Sequence, residues 1–437
     1  MKIRLLLLAL CFTAWGCITP EQIPSGNTTT PAQTGYDIVL TNISHAQENK
    51  PIYLYGYDCL EVACIDSATV FRGRAEFKNK NNIPRGIYTI SSIPNAYSSE
   101  ELSQQGKDIV FNQSTRFYVN LGEHLTTNSE ENNQLFRYYE QKAAATTPAL
   151  AQSVFNSFTA TSPSSFVSKY IRATETIGTP ITSDAAFRQQ LNAVDFSDTR
   201  LLHVPNSYIR NILDYIVQPE SQEASACIAK MDALLSRCPN AAVRNYYIRA
   251  LFSLLNVHNP DYDPVLVYLY DHYDHTWIES GSEKRIERKI NNLRKIIPGA
   301  QIPELISHDI HGKAHSTNDI QRRYTVLWFW DPDCDHCQEM TPPLHRFYQE
   351  HGRDYDFEVF AVEVNDDYDR WKAFSDKHQL WDWTNLSTSR GEQNIDFIEY
   401  FDIMTTPVIL LIDNSQNHTI IKRQITLDEL RLFFSKK

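Results

Sequence analysis

The segment Trp330-Asp331-Pro332-Asp333-Cys334-Asp335-His336-Cys337 follows an apolar run, Tyr324–Phe329, and precedes a stretch with helical periodicity from Gln338 to His351. A buried strand that delivers two cysteines, three residues apart, to the start of a helix leaves few arrangements open. The sulfur of Cys334 falls among the free backbone N–H groups of the first turn, where the helix dipole favours thiolate over thiol. Cys337 falls one turn on, beside Cys334 and deeper. Some seventy residues later Thr406-Pro407 opens a second apolar run, Val408–Ile412. An X-Pro bond is the one peptide bond readily held in cis. In that form it presents a carbonyl edge to a partner chain and offers no metal ligand. No second C-x-x-C or C-x-x-H follows, so the pair does not read as a structural zinc site. Together these features imply dithiol–disulfide exchange, with Cys334 attacking, Cys337 resolving, and Thr406 and Pro407 positioning the partner.

The neighbours tune this chemistry. His336, when cationic, stabilises the Cys334 thiolate, whereas Asp333 and Asp335 raise its pKa by like charge. Their partial cancellation predicts a pair less oxidising than a dedicated oxidase, whose potential lies near −120 mV.

Patterning around this segment predicts α/β structure for residues 298–437. Strands are expected at Tyr324–Phe329, Phe357–Val364, Val408–Ile412 and Thr419–Arg423. Helices are expected at Gln338–His351, Asp367–His378, Ile395–Phe401 and Leu427–Phe434. Continuous apolar strands alternating with helices mean a sheet covered on both faces. Residues 126–297 carry helical periodicity, as at Ile209, Ile212, Leu213 and Ile216, and are punctuated by prolines. Residues 36–125 read as a small antiparallel β-sandwich of short Val-, Ile-, Tyr- and Phe-rich runs, including Pro51–Tyr57 and Ala68–Lys78. Tyr53, Tyr55 and Tyr57 share one strand face there, as sheet packing would require. The chain is therefore expected to be multidomain: an N-terminal all-β sandwich, an α-helical middle domain and a C-terminal α/β domain.

Residues 1–17 read as an export leader, with Lys2 and Arg4 before the short apolar stretch Leu5–Phe12. Cys17 stands where a lipoprotein carries its acylated cysteine, while Ala14-x-Gly16 also suits ordinary signal-peptidase cleavage and simple secretion. Residues 18–35, rich in Pro and Thr, read as a tether. Export places the remaining cysteines in an oxidising compartment. There Cys59 and Cys64 are candidates for a loop-closing disulfide. Cys227 and Cys238 would lie about 16 Å apart on one continuous helix, too far to bond, and pair only if the chain turns before Cys238. The formal charge of −12 argues against nucleic acid as a partner. Asp271-His272-Tyr273-Asp274-His275 reads as solvated surface rather than a metal site.

Residues 298–437 resemble the thioredoxin superfamily, specifically its TlpA/ResA-type envelope branch. Leu327-Trp328-Phe329-Trp330 before D-P-D-C-D-H-C stands where that family has its strand and W-C-x-x-C. Pro342 matches a helix-kinking proline, and Tyr400–Pro407 resembles the approach to the family's cis-proline. Pro298-Gly299-Ala300-Gln301-Ile302-Pro303 resembles the segment that opens such domains. Asp333, Trp328 and Met340 depart from the pattern. They leave the proton acceptor for Cys337 unassigned, with Glu339 as a stand-in. Ile65–Ala68 with Gly86–Tyr88, and Asp195–Leu202, are similar to the β and helical domains of envelope lipoproteins that carry such modules. The resemblance implies a thiol–disulfide oxidoreductase, reductase or isomerase, that needs no cofactor. It would be lipid-anchored in the periplasm, act on exported thiol or disulfide proteins, and draw on a membrane electron donor if it reduces them. Two other classes compete: an envelope binding or adaptor lipoprotein with a redox-inactive thioredoxin fold, and a thiol peroxidase. The peroxidase would need Thr or Ser where Asp331 stands.

Overall fold

The computed structural model describes residues 35–436 apart from 59, 113–115, 177–179, 206, 219–223 and 257–258. The leader, Cys17 and nearly all of the tether therefore lie outside the described residues. The chain divides into two compact units. One runs to Tyr215 and includes Ser236–Tyr247; the other comprises Ile216–Leu235 and Ile248–Lys437.

The first unit begins with β1 (Tyr36–Thr41), β2 (Pro51–Asp58), β3 (Glu61–Thr69), β4 (Ala75–Asn79), β5 (Gly86–Ser91), β6 (Lys107–Phe111), β7 (Phe117–Asn120) and β8 (Thr126–Thr127). They form two sheets, ordered β4-β1-β7-β8 and β3-β2-β5-β6. Inward side chains of both, among them Ile38, Leu40, Leu54, Phe77, Ile90, Phe111, Phe117 and Val119, close into one apolar core. This is the expected sandwich, with two differences. β1 pairs with β7 in parallel; strands so distant in sequence are not bound to the antiparallel geometry a tight turn enforces. The run Ala68–Lys78 is not one strand, because left-handed Arg72 and Gly73 turn the chain between β3 and β4. The tyrosine face of β2 is covered: the Tyr55 hydroxyl donates to the Ile93 carbonyl at 2.6 Å and accepts from the Ala96 N–H. The expected Cys59–Cys64 bridge is described at one end only. Cys64 is an exposed free thiol paired across the ladder with Tyr55, and Cys59 lies outside the described residues.

Helices α1 (Ser99–Ser103), α2 (Glu130–Ala144), α3 (Pro148–Thr161), α4 (Phe166–Glu175), α5 (Asp184–Ala193) and α6 (Ser207–Ile216) follow, then α7 (Ala224–Leu235), α8 (Ala241–Leu255), α9 (Asp263–His272) and α10 (Glu283–Leu293). Asn132 ties α2 to the edge of the sandwich. Asn132, fully buried, accepts the Val110 N–H at 2.7 Å and donates to the Val110 carbonyl at 2.8 Å. It thus satisfies the open ladder edge of β6 as a further strand would. Cys227 is a buried free thiol on α7.

The second unit contains the α/β domain: β9 (Ile306–His308), β10 (Ala314–Ser316), β11 (Tyr324–Trp330), α11 (Asp335–His351), β12 (Phe357–Glu363), α12 (Tyr368–His378), β13 (Thr384–Ser387), α13 (Phe397–Tyr400), β14 (Val408–Asp413), β15 (Thr419–Arg423) and α14 (Leu427–Ser435). Among the described residues its sheet has seven strands, ordered β10-β9-β13-β12-β11-β14-β15. Every residue of β11 is buried, as a central strand covered on both faces requires. Trp328, Trp330 and Trp371 pack with Phe347, Phe357 and Phe434. Two registers place the site. Trp330 pairs with Glu363 on parallel β12, and Phe329 pairs with Val408 on antiparallel β14. The segments that leave β11 and enter β14 therefore meet at the same sheet end. No described helix is long and apolar enough to cross a membrane.

The Asn132 clamp makes a direct prediction. Asn132→Ala leaves both polar groups of Val110 without their partner and lowers stability by about 2–3 kcal/mol. The checks are a lower urea midpoint and faster hydrogen exchange at the Val110 amide.

Candidate active site

The chain leaves β11 at Trp330 and turns through Asp331–Asp333, the Asp331 side chain accepting the Asp333 N–H at 2.8 Å. Cys334 then takes the N-cap position of α11 with φ −80° and ψ 119°. Its sulfur does what a Ser or Asp side chain does at other helix starts: it accepts the Cys337 N–H at 3.4 Å. Cys334 is half-buried and Cys337 fully buried; both are free thiols.

Across the gap, Thr406-Pro407 is a cis peptide. The Thr406 carbonyl lies 3.2 Å from the Cys334 sulfur, which donates to it when protonated. Partial burial works against ionisation of Cys334. Hydrogen bonds from the Thr406 and Cys337 side chains and from the Cys337 and His336 backbone outweigh it, and hold the thiol below its ordinary value. Cys337 is the opposite case. Burial pushes its thiol up to about 12, despite a hydrogen bond from the Asp331 backbone. One sulfur is thus prepared to ionise and the other to stay protonated.

Four of the expected residues, Cys334, Cys337, Thr406 and Pro407, meet here. His336 contributes through its backbone N–H, and its ring is exposed. Glu339 does not take the expected role beside Cys337. It is exposed and borders a cavity of about 110 Å³ with Trp328, Met340, Pro343 and Leu344. Glu339 lies five residues after the N-cap and two after Cys337, about 200° around the helix from the buried thiol. The expected opposition from both flanking carboxylates is also reduced, because Asp333 forms an ion pair with Arg370 of α12.

That ion pair belongs to a support that sequence reading missed, the segment between β12 and α12. Glu363, fully buried at the end of β12, accepts the Asn365 and Asp367 N–H groups and the Ser387 hydroxyl, the last at 2.6 Å. Burial raises its pKa against these bonds. The segment so fixed brings Asn365 to the Asp331 side chain and Arg370 to Asp333. Nothing in the spacing of Asp331, Glu363 and Arg370 announces this, since β12 pairing alone brings them together. No cluster of residues suited to a metal ion occurs among the described residues.

Residues 321–419 match the thioredoxin-like family, and the C-terminal domain is thioredoxin-like. No curated protein matches the chain. Among solved structures, a domain of a possible thiol-disulfide isomerase from Cytophaga hutchinsonii is 30% identical. The match covers 32% of this chain and 92% of that one, with a TM-score of 0.30. The thioredoxin domain of a thiol-disulfide oxidoreductase from Bacteroides vulgatus is 23% identical over 32% of this chain and 97% of its own, with a TM-score of 0.28. A thioredoxin-like protein from Bacteroides caccae is similar over a longer stretch, 60% of this chain and 99% of its own. Its identity is 15% and its TM-score 0.44.

The asymmetry between the sulfurs sets a pH order. An acid held below its ordinary value ionises at lower pH. In the reduced protein, iodoacetamide is expected to alkylate Cys334 with a midpoint below the free-cysteine value of about 8.5. Cys337, pushed up to about 12, stays unreacted through neutral pH. Peptide mapping of the alkylated chain across a pH series checks both.

Proposed function

We propose that the protein is an envelope thiol–disulfide oxidoreductase, acting as a reductase or isomerase on exported proteins through Cys334 and Cys337. One observation carries the reading. A half-buried sulfur caps a helix, held below its ordinary pKa beside the Thr406 carbonyl that precedes the cis-proline, with a protonated thiol buried one turn away. A static disulfide or a pair of core thiols has no need of that asymmetry.

In the reducing direction the Cys334 thiolate attacks one sulfur of a substrate disulfide. The substrate S–S bond breaks, a Cys334–substrate disulfide forms, and the other substrate sulfur leaves as thiolate and takes up a proton. Cys337 then loses its proton and attacks the Cys334 sulfur. This forms the Cys334–Cys337 disulfide and releases the second substrate thiol. Two electrons pass from the protein dithiol to the substrate, and a second dithiol, supplied by a membrane electron donor, returns them. The Thr406 carbonyl and Pro407 edge the groove where the substrate strand would lie. In the isomerising direction Cys334 is regenerated by a substrate thiol, and Cys337 serves only to release stalled complexes.

The setting follows from the sequence. Residues 1–17 direct export, acylation of Cys17 tethers the chain to the membrane, and residues 18–35 give the domains reach into the periplasm. A peroxidase reading gains nothing from the site. Asp331 supplies its backbone to Cys337 and its side chain to Asn365, and offers no hydroxyl to orient a peroxide beside Cys334.

Turnover of insulin disulfides in the presence of dithiothreitol tests the proposal. Wild type is expected to accelerate it, and Cys334→Ala to fall to the uncatalysed rate. Cys337→Ala is expected to stall after one attack as a covalent complex that reductant dissolves. Equal turnover by wild type and Cys334→Ala would contradict the assignment.

A further inference from the structure

The segment that carries Thr406-Pro407 is held at both ends by two consecutive residues, the last of β15 and the one that follows it. Arg423, the last residue of β15, donates through Nη2 to the Phe401 carbonyl at 3.2 Å and the Asp402 carbonyl at 3.5 Å. Gln424 follows it. Its Nε2 donates to the Pro407 carbonyl at 3.1 Å, and its Oε1 accepts the Ile409 N–H at 3.0 Å. One residue therefore fixes the start of the segment and the next fixes its exit. Between them lie Ile403 to Thr406, with Met404 72% exposed.

Gln424 is held through the ladder, since its N–H bonds the Ile409 carbonyl. Arg423 is held from outside the sheet. Its Nη1 meets the Asp263 carboxylate at 2.7 Å, with the two side chains only 11% and 12% exposed. Asp263 is the first residue of α9, from the helical part of this unit. Burial of an arginine is tolerable only with its charge answered. Among the described residues Asp263 is the carboxylate that answers it. The guanidinium is then left free to point its other nitrogen at the two carbonyls, in the forked geometry that lysine lacks.

We propose that Asp263 and Arg423 are positioning residues for the redox site, so that α9 sets where the Thr406 carbonyl and side chain stand against the Cys334 sulfur. The inference rests on the dithiol reading given above and extends it to a helix outside the thioredoxin-like domain. Losing the Asp263 charge frees the guanidinium to seek water. The Phe401–Asp402 carbonyls lose their donor, and the segment shifts at its start while Gln424 still holds its exit. Cys334 then loses part of the Thr406 contact that favours its thiolate.

The test uses the full reduced chain, with three measurements on each variant: the alkylation midpoint of Cys334, the KM and kcat for a disulfide peptide, and the melting temperature. Asp263→Asn and Arg423→Lys are each expected to raise the Cys334 midpoint by about half a pH unit or more. Each should also raise KM several-fold with a smaller change in kcat, and the double variant should add little to either single one. Asp263→Glu is expected to restore both readings. A fall in melting temperature with the Cys334 midpoint and KM unmoved would overturn the inference, since a purely structural ion pair predicts that result. If Asp263→Asn does not fold, Arg423→Lys decides, because it keeps the charge and removes only the fork. A wild-type midpoint at the free-cysteine value would contradict the dithiol reading itself and the inference with it. A lowered wild-type midpoint that neither variant moves would contradict the inference alone.

Discussion

The sulfur of Cys334 serves as a helix cap, and the remaining features of the site follow from that substitution. A capping side chain must accept N–H groups, and an acceptor that is also an acid is stabilised in its ionised form by the same bonds. The position that completes α11 is thus also the position that prepares a nucleophile. Cys337, fixed three residues later by the helix repeat, turns inward among apolar neighbours, where burial keeps it protonated. Helix geometry, with burial on one side and Thr406 on the other, divides two chemically identical side chains into an attacker and a reserve.

The sheet supplies what the helix cannot. Parallel pairing brings the Glu363 end of β12 to the start of the motif, and antiparallel pairing brings Val408 beside Phe329. Each neighbour carries its own anchored segment. Glu363, buried and well supplied with donors, fixes the turn that delivers Asn365 and Arg370 to the aspartates around Cys334. Arg423 and Gln424 fix the segment that delivers Thr406. The Asp333–Arg370 pair matters for electrostatics. An unpaired carboxylate one residue from Cys334 would oppose its ionisation, and the ion pair offsets part of that opposition.

Much of the α/β domain was legible because its signals are local. The apolar runs Tyr324–Phe329, Phe357–Val364 and Val408–Ile412 were long enough to read as buried strands, and the C-x-x-C marked the helix that follows. Strands β9, β10 and β13 were not read, being only three or four residues long and largely polar (Ile306–His308, Ala314–Ser316 and Thr384–Ser387). Alternation over so few positions does not separate a strand from a loop. The run Ala68–Lys78 fails for a different reason. Strand-like residues lie on both sides of Arg72-Gly73, and that left-handed pair breaks the run into two strands. At the site, the two cysteines and Thr406-Pro407 were readable as motif members. Glu363, Arg370, Asp263 and Arg423 were not, because each acquires its role from a partner brought near by tertiary pairing. Glu339 is near Cys337 in sequence, but two residues along α11 carry it to the other side of the helix.

The account turns on Cys334 and Cys337 forming one reversible couple. Equilibrating the full chain in graded dithiothreitol buffers, and quenching with acid before alkylation, reads the oxidised fraction at each potential. The expected result is a single two-electron transition confined to these two cysteines, with a midpoint more reducing than about −120 mV. Thiols that remain unpaired throughout the series, or a midpoint at the strong-oxidant value, would contradict it.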